Sequence, residues 1–152
     1  MLKRKLLILS TLLGLLTMGC ATSGPTGNSA NPLIGAWLVS SARSSGTGKN
    51  MLTFSSDGTF FRSGDTHPVL SGGHGVWKRL ADGEYEATYI AFRFDESRKW
   101  IGSTKTMLRI KTGPGPDEFS GIAKAISRDL EDKQIRVGES RLQGQRINVE
   151  SF

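Results

Sequence analysis

The chain is 152 residues long, with 20 Lys and Arg against 14 Asp and Glu and a formal net charge of +6. Lys3, Arg4 and Lys5 hold three of those positive charges, so the rest carries 17 against 14, or +3, which argues against a basic nucleic-acid binder. The single cysteine, Cys20, excludes a disulfide framework, and the length beyond it suits one domain.

Lys3-Arg4-Lys5 is followed by an apolar run over 6–18, which matches a signal-peptide core and is too short to cross a bilayer comfortably. The run ends Leu16-Thr17-Met18-Gly19-Cys20. This end resembles a bacterial lipoprotein signal, in which cleavage before the cysteine leaves a thiol to be acylated. The resemblance implies a signal peptide over 1–19, acyl chains such as palmitate on Cys20, and a membrane as partner. Ala21 follows the cysteine in place of the Asp that retains many lipoproteins at the inner membrane. By the same resemblance, a two-membrane cell would hold the protein in its outer membrane, facing the periplasm. An acylated Cys20 leaves no thiol for a zinc site or a nucleophile. Residues 20–31 are small and polar with Gly and Pro, and read as a flexible tether to a domain over 32–152.

From there, apolar segments alternate with turns at a spacing that predicts an all-β domain. The expected strands are 34–42, 51–55 and 59–63, then two that flank Ala81-Asp82-Gly83 within 71–96, then 99–112, 118–127 and 134–149. Residues 43–50 (RSSGTGKN) read as a glycine- and serine-rich loop, and Ser56-Asp57-Gly58 as a hairpin turn. The segment after Pro116 also admits a short helix, because Ile122, Ile126 and Leu130 are four apart and Ala123 and Ala125 favour helix. Phe119-Ser120-Gly121 is a poor helix start, which favours a strand.

The organising hairpin is 71–96. One alternating set in its second strand is Tyr85, Ala87, Tyr89, Ala91 and Arg93; the other is Glu86, Thr88, Ile90, Phe92 and Phe94. Both faces become apolar toward the end of the strand, as suits a small barrel whose outer face is partly covered. The predicted fold is a single eight-stranded antiparallel up-and-down β-barrel.

Leu33-Ile34-Gly35-Ala36-Trp37 is similar to the Gly-x-Trp motif that opens the first strand of lipocalins and related calycin barrels. The DGTF, GHGVW and F-x-F-D stretches resemble those of small secreted bacterial lipocalin-like proteins. The resemblance implies that Trp37 closes one end of the barrel and that Arg146, from the last strand, packs across it as a cation over an indole face. An allene-oxide-cyclase-like barrel, with the same strand number, is a similar-looking alternative that hosts cyclases.

No catalytic constellation is present. Asp65, His67 and His74 form a loose cluster, but two imidazoles in the whole chain are too few for zinc, so no metal and no cofactor is expected. Gly46-Thr47-Gly48-Lys49-Asn50 lacks the leading Gly and the closing Ser or Thr of a phosphate loop. Lys124, Arg128, Lys133, Arg136, Arg141 and Arg146 are interspersed with acidic residues and read as a solvated surface. Trp77, Tyr85, Tyr89 and Trp100 are the candidate walls of a ligand cavity, with His74 at the mouth. If Trp77 points inward, His74 lies on the opposite face. The expected function is binding of a small hydrophobic molecule or lipid. A cyclase-type enzyme and an interaction module with a filled barrel are the alternatives.

Overall fold

The computed structural model describes residues 31–44, 46–66 and 69–152. The expected signal over 1–19, Cys20, the expected tether up to residue 30, and His67 lie outside them. Eight strands follow in chain order: β1 (Gly35–Arg43), β2 (Gly46–Phe54), β3 (Thr59–Gly64), β4 (Gly73–Ala81), β5 (Glu84–Phe94), β6 (Trp100–Thr112), β7 (Glu118–Arg128) and β8 (Gln134–Arg146). Each is antiparallel to its neighbours and β8 returns to β1, so the sheet closes into an up-and-down barrel.

The turns follow from local chemistry. Asp57 Oδ1 accepts hydrogen bonds from the Thr59 backbone N–H at 2.8 Å and from its hydroxyl at 2.7 Å, and Gly58 takes a φ of +84°. Those two bonds hold the Asp57 carboxyl below the usual range. Gly83 reverses the β4–β5 hairpin with a φ of +72°, a conformation that costs glycine least.

Residues 43–50 are not a loop. Pairing runs unbroken from Gly35–Phe54 to Arg43–Gly46, so the strands extend almost to their tip. The cause is tertiary: Gly48 faces the lumen, and the Arg43 side chain lies in the space where a Cβ would stand. β8 stops at Arg146, short of residue 149. The segment after Pro116 is strand β7, in register with both β6 and β8. Ile122 and Ile126 share its outer face, because residues four apart lie on one side of a strand as well as of a helix.

The core sits at the end where β1 begins. Leu33, Trp37, Phe54, Phe60, Tyr85, Ile110 and Phe119 are all essentially inaccessible there. Their rings make two sets of contacts: Trp37–Phe119 at 4.9 Å, and Phe54 with Phe60 at 4.7 Å and edge-on with Trp77 at 5.9 Å. Burial of each such side chain stabilises by roughly 1.5–3 kcal/mol.

Arg146 seals this end. Its guanidinium lies 4.2 Å from the centre of the Trp37 ring, and the two residues are register partners. It donates to the carbonyls of Ile34 at 2.8 Å and Pro116 at 2.9 Å, and also to that of Pro32. Its Nε stands 3.0 Å from the Asp117 carboxylate. Trp37 Nε1 donates to Leu33 O at 2.9 Å. One cation thus ties the entry segment to the β6–β7 turn beneath a buried indole.

Candidate functional site

Alternation along each strand divides the lumen into two halves. At the sealed end the inward side chains are large and apolar. Toward the opposite end they become polar or small: Ser41 on β1, Asn50 on β2, Thr104 and Thr106 on β6, Ala125 and Ser127 on β7, Gly138 and Ser140 on β8, together with the arginines Arg43, Arg62 and Arg93. Thr104 and Ser127 hydroxyls meet at 3.2 Å across β6 and β7. A Cβ built on Gly138 would meet nothing within 4 Å, whereas one on Gly144, lower on the same face, would strike the Phe119 ring. Gly138 lies beyond the last β8 residue that pairs with β1, so the open space is at the rim of this end; at Gly48, Gly64 and Gly73 the corresponding space is occupied by Arg43, Arg62 and Tyr89.

The polar groups on the β1–β3 side form one network. Arg43 donates to Ser41 Oγ through Nε and Nη2, both at 3.3 Å, and Asn50 Nδ2 donates to the same oxygen at 3.3 Å. Asn50 Oδ1 in turn accepts from Arg62, through Nε at 3.0 Å and Nη2 at 2.7 Å. Arg62 Nη2 also donates to Thr66 Oγ1 at 2.9 Å. The carboxylate nearest this network is Asp65, 3.8 Å from Arg43, which also accepts from the Lys49 backbone N–H at 2.7 Å.

The charges that face inward are of one sign. Arg43, Arg62 and Arg93 alternate with outward residues on β1, β3 and β5. The strand-borne carboxylates Glu84, Glu86, Glu118 and Glu139 take the opposite parity and face out. Glu86 is held below the usual carboxylate range, first by the hydrogen bond from Arg109 and also by Lys78. Among the described residues the lumen presents no carboxylate or imidazole, and no three potential metal ligands come together.

The candidate cavity residues are dispersed. Trp77 and Tyr85 point inward but belong to the packed end; Trp77 Nε1 donates to Ser55 O at 2.9 Å, and the two rings stand 5.9 Å apart. Tyr89 sits at the boundary, 5.7 Å from Phe60, with its ring over Gly73. Trp100 is not a lumen wall. A register shift pairs Arg93 with Gly102 and Phe94 with Trp100, and Gly102 takes a φ of +131°. This bulge turns Trp100 out, where it is 51% exposed and meets Phe92 edge-on at 6.1 Å. His74 does not line the mouth either; it stands on the outer face against the Phe61 ring at 4.9 Å. Nor is the outer face of β5 covered, since Ile90 and Phe92 are exposed there. Strand alternation carried a signal for the inward arginines: Arg93 shares a face with Tyr85 and Tyr89, and Arg62 shares one with Phe60.

Tyr85 Oη is buried with no hydrogen-bond partner among the described residues. Burial pushes its pKa up, with Arg79 opposing. A phenol whose folded pKa is raised contributes stability that is complete below the unfolded value of about 10 and is lost as pH rises through the folded pKa. Tyr85→Phe is expected to stabilise the barrel by about 1 kcal/mol at neutral pH, since an unsatisfied polar atom is removed. It should also remove the alkaline loss, which urea unfolding at pH 8 and pH 11 would measure.

Outside the barrel, a groove of about 740 Å³ crosses β5, β6, β7, β8 and the end of β1. Its floor is the row Ala87, Leu108, Ala123 and Ser140; Glu86, Arg109, Ile122 and Arg141 form one wall, and Met107, Lys124 and Glu139 the other. Ion pairs such as Arg109–Glu86 at 2.8 Å occupy its polar positions. No family model, no curated protein and no solved structure matches the chain.

Proposed function

We propose that this protein is a lipid-anchored envelope protein of lipocalin-like type, whose barrel takes a small hydrophobic molecule or lipid into its open half. The observation that supports the binding reading is the open space beside Gly138, at the rim of a barrel whose other end is filled by rings and sealed by Arg146. An eight-stranded barrel either fills its interior or holds one small ligand, and the open rim beside Gly138 supports the second role at that end. A cyclase would need an inward acid or base in an apolar setting, and the inward ionisable groups among the described residues are arginines and tyrosines.

Native mass spectrometry of protein extracted without detergent should reveal a bound lipid-like molecule. Gly138→Leu would occupy the space, and is expected to lower the affinity for a hydrophobic fluorescent probe at least tenfold while the barrel stays folded. Unchanged probe affinity in that variant, with circular dichroism as in the parent, would refute a ligand in the upper lumen. The anchor rests on Leu16-Thr17-Met18-Gly19-Cys20. Cys20→Ser should release the protein from the membrane fraction or leave an uncleaved precursor; parent protein found soluble and unmodified would rule the anchor out.

A further inference from the structure

We infer that the upper lumen is a subsite for a carboxylate, and that the ligand is an anionic amphiphile whose head group is held by Arg62. This inference rests on the binding function proposed above and specifies its chemistry. Arg62 is only 5% exposed, yet every acceptor it meets among the described residues is neutral, Asn50 Oδ1 and Thr66 Oγ1. No carboxylate lies within 4 Å of its guanidinium, and all 14 Asp and Glu of the chain are among the described residues. A buried charge without a counter-ion is costly, and proteins retain one where a partner of opposite charge completes it.

The geometry leaves a place for that partner. Three of the five N–H groups of Arg62 are engaged, through Nε and Nη2, and both on Nη1 lack an acceptor among the described residues. Followed from its register partner Gly73, the row that Arg62 joins runs through the small residues Ala91, Thr104 and Ser127 before it reaches Arg136, with the Tyr89 ring over Gly73 and Leu52 on the other side. Asn50 and the bare backbone of Gly64 hold the guanidinium flat against the wall, so the fork is positioned before a ligand arrives. A carboxylate oxygen can accept from the Nη1 N–H groups as a charge-assisted hydrogen bond.

The surrounding charges act in the same direction. Arg93 faces the same half of the lumen and among the described residues donates only to Arg128 O, at 3.4 Å, while Arg43 is offset by Asp65 at 3.8 Å. Beneath Arg62 the lumen is walled by Leu52, Phe60 and Leu108, with Tyr89 at the boundary. A ligand with an anionic head supplies the counter-charge that Arg62 lacks, whereas a wholly apolar one would leave it without one.

The test uses the full chain carrying Cys20→Ser, so that no acyl anchor competes, with dodecanoate, dodecanol and dodecyl phosphate as probes in isothermal titration calorimetry. Dodecanoate should bind at least tenfold more tightly than dodecanol. Arg62→Met should abolish that preference and leave dodecanol affinity unchanged, while Arg62→Lys, which keeps the charge without the fork, should retain part of it. Should Arg62→Met fail to fold, the comparison of probes in the parent decides alone. Equal affinity for dodecanoate and dodecanol would overturn the carboxylate subsite and leave the binding barrel standing. Tighter binding of dodecyl phosphate than of dodecanoate would overturn the choice of head group. If none of the three binds, both the subsite and the binding function fall.

Discussion

Trp37→Ala is expected to cost the barrel about 3–5 kcal/mol, the range for removing a buried aromatic side chain. Trp37 has no accessible surface and stands 4.9 Å from Phe119. Truncation would open a cavity at the sealed end, strip Leu33 O of its donor and remove the ring beneath the Arg146 guanidinium. Domains of this size have only about 5–15 kcal/mol of stability, so much of it would disappear. At roughly 4 °C per kcal/mol, the melting temperature should fall by about 10–20 °C. Arg146→Lys keeps the charge but cannot reach the carbonyls of Ile34 and Pro116 with one planar fork, so a smaller loss of about 1–2 kcal/mol is expected. Urea unfolding would read both values. A loss under 1 kcal/mol for Trp37→Ala would show that the sealed end is not the main source of stability.

Gly102→Ala should be nearly as damaging, for a different reason. Gly102 holds a φ of +131°, where an L side chain is strained, and a new Cβ would run into the Arg128 carbonyl of the neighbouring strand. Backbone strain of this kind costs about 1–3 kcal/mol by itself. The clash adds to it, because a paired backbone cannot swing aside as a flexible side chain can. A total of about 3 kcal/mol or more is expected. The fluorescence of Trp100 should also change, since the Gly102 bulge is what turns that indole outward. Gly138→Ala is the control: its Cβ enters open space, so stability should stay within about 1 kcal/mol of the parent. A Gly102→Ala protein as stable as the parent would mean that the bulge relaxes without cost.

The sequence alone determined the features that depend on neighbours along the chain. Strand number followed from alternation and turn residues, because Asp57-Gly58 and Asp82-Gly83 reverse the chain through their own backbone and side-chain chemistry. The facing of Trp77 opposite His74, and of Tyr85 with Tyr89, followed from the two-residue period of a strand. Tertiary structure decided the features that depend on residues far apart in the chain. Residues 43–50 have loop composition, yet they pair as strand because Arg43 packs over Gly48 and Lys49 binds Asp65 from the next connection. Trp100 shares the alternating set of Gly102 and Thr104, but the bulge against Arg93 sends its ring to the outside. No local pattern reports a bulge, which arises when two paired strands differ by one residue. The isolation of Arg62 has two sources: its neutral acceptors Asn50 and Thr66 come from the adjacent strand and from four residues on, while only the assembled barrel shows that no other strand turns a carboxylate toward it.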